Sequence, residues 1–396
     1  MPVRHVGEVS AEGPAPTWNR SRLRAANERL LLDRLRAGGA ASRAQLARET
    51  GLSKPTVSSA LAALAESGLV REAGTRAPER GRTAVLYVAD PTAGHVLGVD
   101  VGRGWLRVAL ADLDGTVVER ADVRNRARSS GALVDLIAAT CREAVAGSGV
   151  GDAAVVHVVL GTPGVYDAER RRVRFANHLP GWGRAGLIDG LRAQLGGVPL
   201  DVHNDANLAA LGEYTFGVGA GSRLFAYIMI GTGLGMGVVS EGRLFTGARG
   251  GAGEIGFLPW PGRQKPDTLE DAVSGVAVVE AARRFGMTGQ LSAKTVFDAA
   301  RAGTPAAREA VGLEAERVAY TIAAAAAVLD PDLVVLGGGV GLDLVLEPVQ
   351  ETLRTLTPLR PRIAASALGE DAVVLGAVAT ALGPARDVVF SRRGGG

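Results

Sequence analysis

Residues 225–257 read FAYIMIGTGLGMGVVSEGRLFTGARGGAGEIGF. The apolar run Phe225 to Ile230 has the length and composition of a buried strand. Glycines follow at 231, 233, 235 and 237, a second apolar run reaches Val239, and Glu241-Gly242 reads as a turn. The pattern is strand, glycine turn, strand. Converging N–H groups in such a turn can cradle an anion, and a tight hairpin that binds nothing fits the same pattern. Gly247, Gly250, Gly251 and Gly253 then lead to Glu254, a carboxylate inside a glycine-rich loop.

These residues resemble the signature of the ROK family (repressors, open reading frames, kinases), sugar-handling members of the actin-like ATPase superfamily. The resemblance extends over nearly the whole chain. It implies an α/β, actin-like ATPase (ribonuclease H-like) body of two lobes, preceded by a winged helix-turn-helix domain.

Composition agrees with a globular protein: 396 residues, 47% hydrophobic and 21% charged. At roughly 100–200 residues per domain, two or three domains are expected. The N-terminus has no apolar core of a signal peptide and no apolar run reaches membrane length, so the expected location is the cytoplasm. The single cysteine, Cys141, excludes an internal disulfide and a multi-cysteine zinc site. Charge is uneven. Residues 1–90 carry 14 Lys/Arg against 9 Asp/Glu; the remainder carries 30 against 32. A basic head on a slightly acidic body suits a polyanion-binding module, and equally a solvated basic tail.

Residues 1–18 read as a disordered tail. In 19–90, Arg22 to Ala37 has Leu23, Ala26, Leu30 and Leu35 at near-helical spacing. Ser42 caps a second helix, with Gln45 completing a capping box; Gly51 ends it and Ser53 caps a third, with Pro55 early in it. Val57, Leu61 and Leu64 form its buried stripe. Helix, glycine turn, helix is a helix-turn-helix pattern. Lys54, Thr56, Ser58 and Ser59, with Ser42, are the candidate DNA contacts. Residues 69–72 and 85–88 read as a wing whose tip carries Arg76, Arg80 and Arg82. A small protein-interaction module is the competing reading. The segment also resembles the head of ROK repressors, which ROK sugar kinases usually lack.

The body is expected as a first lobe, 91–204, joined by a C-terminal helix at 373–390, and a second lobe, 205–372. Strands at 96–101 and 106–110, a hairpin at Asp114-Gly115 and a helix near 131–146 give a β-β-β-α start. ROK kinases hold ATP phosphates with Asp-x-Gly-Gly-Thr-Lys; here Asp100-Val101-Gly102-Arg103-Gly104-Trp105 stands instead. The lysine has become an indole, which puts phosphoryl transfer in doubt. Asn204-Asp205 opens a helix, and Asp205 reads equally as an N-cap. The resemblance makes Asn204 and Asp205 sugar ligands, with Asp205 the general base in kinases. It adds Gly164, Asn177, Glu254 and Glu270 to the sugar site. Family members carry Glu-Ile-Gly-His and then three cysteines that hold zinc; this chain has Phe257 for the histidine and no cysteine at 261–268. No zinc, no other metal and no ATP are therefore expected.

The sequence thus points to a sugar-responsive transcriptional regulator, a repressor in character. Its expected partners are double-stranded operator DNA and a sugar or sugar phosphate, and it would act as a homodimer or dimer of dimers. A sugar kinase with a DNA-binding appendage is the alternative. A DNA-binding protein whose body answers to another protein is the third.

Overall fold

A computed structural model describes residues 19–77, 83–176, 179–260, 268–339 and 341–392. Arg80, Arg82, Asn177, the segment 1–18 and residues 261–267 lie outside the described residues. The chain divides into two compact units. One is the chain up to Ala93 together with residues from Val389 onward; the other is Gly94–Val388.

The first unit starts with α1 (Arg20–Gly38), capped by the Asn19 side chain, which accepts from the Arg22 amide. Its buried face is Leu31, Leu32 and Leu35. This corrects the sequence reading: Leu23 and Leu30 are 54% and 45% exposed. Their spacing is helical, as is that of the buried residues; of the four expected, only Leu35 lies on the face that packs, and Ala26 is exposed as well. A two-residue strand β1 (Ala41–Ser42) precedes α2 (Arg43–Thr50), where Ser42 caps by accepting from the Gln45 amide. The Gln45 side chain bonds Glu49 as part of that helix. Gly51 takes a left-handed conformation, and α3 (Lys54–Glu66) begins on the Ser53 cap with Pro55 in its first turn. Val57, Leu61 and Leu64 are buried as expected. The wing strands are β2 (Val70–Arg76) and β3 (Ala84–Ala89), and β1 pairs with β3 to complete a three-stranded sheet.

The second unit repeats one topology twice. The first half holds β4 (His95–Val101), β5 (Trp105–Asp112), β6 (Val117–Arg124), α4 (Ser130–Ser148) and β7 (Val155–Thr162). A β8–β9 ribbon (Val165–Asp167, Arg172–Arg174), α5 (Leu187–Gln194) and β10 (Leu200–Asn204) complete it. The second half begins with α6 (Asp205–Phe216), β11 (Leu224–Ile230), β12 (Leu234–Ser240) and β13 (Arg243–Leu244). Helices α7 (Leu269–Val273), α8 (Gly275–Arg284), α9 (Ala293–Arg301) and α10 (Pro305–Leu329) follow. Then come β14 (Leu333–Gly337), α11 (Leu342–Leu356), β15 (Arg362–Ala365) and α12 (Ala372–Arg392). The sheets run β10-β7-β4-β5-β6 and β15-β14-β11-β12-β13. In each, a three-stranded antiparallel meander is extended by two parallel strands reached through helices. This duplicated unit is the actin-like ATPase fold.

Parallel central strands covered on both faces must be apolar throughout, and every residue of β4 and β7 is buried. Cys141 on α4 lies in the first core, where burial pushes its thiol up to about 12. Helix α6 lies against β11 and β12. Helix α12 packs on β4 so closely that a Cβ at Gly98 would meet the Val374 carbonyl oxygen at 2.6 Å. The segment Gly369–Arg392 is long and apolar enough to cross a membrane by length and composition, unlike the expectation that no run is. Half of it is buried against the rest of the protein, and Val374, Ala377, Val378 and Ala381 are wholly inside.

Candidate functional site

Strand β11 pairs with β12 from Ile230↔Leu234 onward, so the turn between them is only residues 231–233, closed by the Gly231 amide donating to Gly233 O. Gly235 and Gly237 therefore lie inside β12, not in a loop as expected. A Cβ at Gly235 would meet Ala206 Cβ at 2.9 Å; one at Gly237 would meet Ala206 O at 2.4 Å and Ala210 Cβ at 2.7 Å. These glycines let the start of α6 settle on the strand.

That seating fixes Asp205, the first residue of α6. Asn204, not Asp205, is the N-cap: its Oδ1 accepts from the Asn207 amide at 3.1 Å, and its Nδ2 donates to Gly164 O at 3.2 Å. Gly164 has φ +89°, and a Cβ there would meet Arg174 O at 2.2 Å, so only glycine fits. Asp205 Oδ1 accepts from the Ala206 amide at 2.8 Å, and its charge sits at the favourable end of the helix dipole.

Glu254, from the glycine-rich loop of the same lobe, lies within the charge field of Asp205. Gly253, at φ +87°, presses the loop so hard on β12 that a Cβ would be 2.0 Å from Met236 O. Glu270, in the first turn of α7, accepts from the Leu234 amide through Oε2 at 3.1 Å. It thereby clamps the end of the glycine turn. Burial, then the charges of Asp205 and Glu270, push the Glu254 carboxyl above its usual range. Asp100, at the end of β4 and 6% exposed, is pushed up to about 7 by burial and then by Asp205. Arg107 opposes that shift from 3.4 Å. Four carboxylates from both halves of the body thus share one electrostatic neighbourhood. Sequence reasoning missed Asp100 as a member; its place at the end of a buried strand, opening the altered phosphate loop, was the available signal.

The altered loop is closed on itself. The Gly102 amide donates to Trp105 O at 2.9 Å, and Asn125 bonds Gly102 O and Gly104 O. The Trp105 ring is covered by the Arg124 guanidinium at 4.0 Å. Asp167 is held by Arg170 at 3.0 Å, and Trp182 is buried with its Nε1 donating to Thr162 Oγ1 at 2.8 Å. At Gly337 and Gly338 a Cβ would collide with Tyr227 and Ile230, so that turn is shaped by close packing.

Phe257, where the family's zinc histidine would stand, is 51% exposed and meets Phe175 edge to face, centroids 5.3 Å apart. The donor set here does not fit zinc: an aromatic hydrocarbon occupies one ligand position, and the chain's one cysteine is buried in the other lobe. Among the described residues no group of three or more His, Cys, Asp or Glu is placed to hold a metal.

In the head, Lys54, Ser58 and Ser59 are exposed along the first turns of α3. Thr56 is half-buried, its Oγ1 sharing a hydrogen bond with Ser53 Oγ at 2.8 Å. Ser42 is spent on its cap. Arg43, not singled out in the sequence, stacks on Tyr87 of the wing at 5.0 Å.

A duplicated actin-like body joined to a winged helix defines a class of DNA-binding regulators. Residues 96–383 match the ROK family model, and the chain belongs to the ROK family. Residues 26–82 match the MarR family model. The chain is similar to a xylose repressor of Caldicellulosiruptor bescii, 25% identical over 390 residues, covering 91% of this chain and 96% of that one. It is similar to a glucokinase of Halalkalibacterium halodurans, 31% identical over 309 residues, 71% of this chain and 92% of that enzyme. It spans only 35% of a bifunctional NanE/NanK enzyme of Brucella melitensis that it matches at 40% identity. A crystal structure of a ROK transcriptional regulator, a homolog of the E. coli MLC protein, superposes with a TM-score of 0.76 at 20% identity, covering 94% and 98% of the two chains.

Proposed function

We propose that this protein is a sugar-responsive transcriptional regulator, a repressor of carbohydrate-metabolism genes, acting in the cytoplasm as a dimer. The observation that carries the reading is the joining, in one chain, of a winged helix to a ROK body in whose second lobe Asp205, Glu254 and Glu270 feel one another's charge. The similarity to a xylose repressor along both chains' lengths supports it. Carboxylates are strong acceptors for sugar hydroxyls, and Asn204, Gly164 and Asn177 complete the proposed ligand set. Lys54, Ser58 and Ser59 would read the operator, with Arg80 and Arg82 on phosphates. A dimer supplies two heads for two half-sites. The sugar regulates DNA binding through its different affinity for two arrangements of the body.

The body works without zinc or ATP in this reading. Phe257 cannot ligate zinc, and Trp105, its ring covered by Arg124, stands where the family's phosphate-holding lysine would be. Kinase activity is the second reading, favoured by the glucokinase similarity and by Asp205 at a helix start. One experiment separates them. Full-length protein is incubated with operator-bearing DNA, with a panel of sugars, and with ATP-Mg. Sugar-dependent release of DNA without ADP formation supports the regulator. ADP formation that disappears in Asp205→Asn overturns it. Elemental analysis of purified protein tests the expected lack of zinc.

A further inference from the structure

Two phenylalanines lie where a sugar site would meet solvent. Phe257 is one 3-10 turn after Glu254, and its amide donates back to Glu254 O. Phe175 follows β9, in the segment that encloses Gly164: a Cβ on Gly164 would be 3.1 Å from the Phe175 carbonyl carbon. Gly164 O in turn takes the Asn204 amide. Each ring is therefore tied by a few bonds to a proposed sugar ligand, one in each lobe.

Neither ring is buried by the fold. Each is 51% exposed, and they touch only edge to face at 64°. Phe175 also holds a left-handed backbone, φ +63°, which is strained for a bulky residue. The Arg174 guanidinium lies over the same ring at 5.2 Å and fixes it. A strained backbone that presents a half-exposed aromatic gains nothing for the core. It makes sense as part of a binding surface, because ligand sites join apolar aromatic walls to a few converging polar groups.

We propose that the ligand is a glycoside or short oligosaccharide rather than a free monosaccharide. One ring of it engages the carboxylates Asp205, Glu254 and Glu270. The second ring, or an apolar aglycone, lies with its C–H face on the Phe175–Phe257 pair. This rests on the sugar-site reading above and narrows it. A histidine at 257 would donate to a hydroxyl; phenylalanine offers only an apolar face, so it exchanges recognition of a polar group for recognition of a surface.

The test is calorimetry on the full chain. Glucose, mannose, xylose and N-acetylmannosamine are compared with the p-nitrophenyl glycosides of the first three and with cellobiose and maltose. The expected result is at least one glycoside bound tenfold or more tightly than its parent monosaccharide. In Phe257→Ala and Phe175→Ala that ratio falls to near one. Phe257→Leu, which keeps apolar bulk without a flat face, shows whether a variant has failed to fold or has lost the platform. Asp205→Asn abolishes binding of both classes. If the monosaccharide binds as tightly as any glycoside, or N-acetylmannosamine alone is preferred, the inference is overturned while the sugar site stands. If no member of the panel binds, the sugar site itself falls, and the inference with it.

Discussion

Gly237→Ala decides whether the glycines of β12 serve packing or ligand. The added Cβ would stand 2.4 Å from Ala206 O and 2.7 Å from Ala210 Cβ. Relaxed carbon–carbon contacts lie at about 3.5–4.0 Å, so α6 must retreat by about 1 Å. Neither obstacle is a flexible side chain. Overpacking of this kind costs about 1–3 kcal/mol. In a unit of about 300 residues each kcal/mol lowers Tm by about 1.6 °C, giving a fall of roughly 2–5 °C. The same retreat carries Asp205 away from Glu254. Losing one good hydrogen bond to a charged group is worth about 1.5–3 kcal/mol, so sugar affinity falls tenfold or more. Gly231→Ala is the contrast: nothing lies within 4 Å of its Cβ, and its φ is not left-handed. It is expected to stay within about 0.5 kcal/mol of the parent. The readouts are thermal unfolding and calorimetry of both variants. Gly237→Ala melting like the parent, with Gly231→Ala losing ligand, would refute the packing account and restore an anion-binding turn.

Asp205→Asn should abolish the sugar-dependent rise in Tm while leaving operator affinity intact; loss of both would show a folding defect. Lys54→Ala should weaken binding to all DNA sequences alike and lower the salt slope by about one contact, measured by anisotropy across salt concentrations. Ser53→Ala should cost about 1 kcal/mol through its lost cap on α3, read by denaturant unfolding of the head's signal. Asp100 carries a pH prediction. Its carboxyl is raised by burial from 3.8 to about 7, so the folded state holds the proton more firmly than the unfolded chain. That stability is fully present below about pH 4 and is lost as pH rises through about 7, up to about 4 kcal/mol in all. Glu254 adds to the trend in the same direction. Asp100→Asn should therefore gain stability over the parent between pH 5 and 8; parallel pH profiles would refute it.

The helix-turn-helix was legible because its punctuation is local: Ser42, Gly51, Ser53 and Pro55 each act on the residues beside them. Single buried strands of the body were legible as apolar runs ended by glycine; its two lobes came from the family resemblance. Contacts distant in sequence were not. Leu31 and Leu32 were passed over for Leu23 and Leu30 because helical period names a stripe but not its partner. Gly235 and Gly237 looked like loop residues because the helix they accommodate begins thirty residues earlier. Strand β1 is two residues long and has no pattern to read. Either Asn204 or Asp205 could cap α6 by its position in the sequence; the structure gives the cap to Asn204, which also bonds Gly164, forty positions away. Phe257 stood out in the sequence only as a missing histidine, and Phe175 not at all; the fold sets them side by side.

Helices α6 and α12 cross where neither has a side chain. A Cβ on Gly212 would be 2.3 Å from Ala372 O, and one on Gly376 only 1.8 Å from Leu208 O. Backbone rests directly on backbone there, with no interlocking knobs to resist a turn. From Gly376 the helix continues to Arg392 with Pro384 inside it. The contact survives only while both positions stay bare, so the middle of α6 and the start of α12 are held to one close approach. A single methyl group at either glycine would force the two backbones apart.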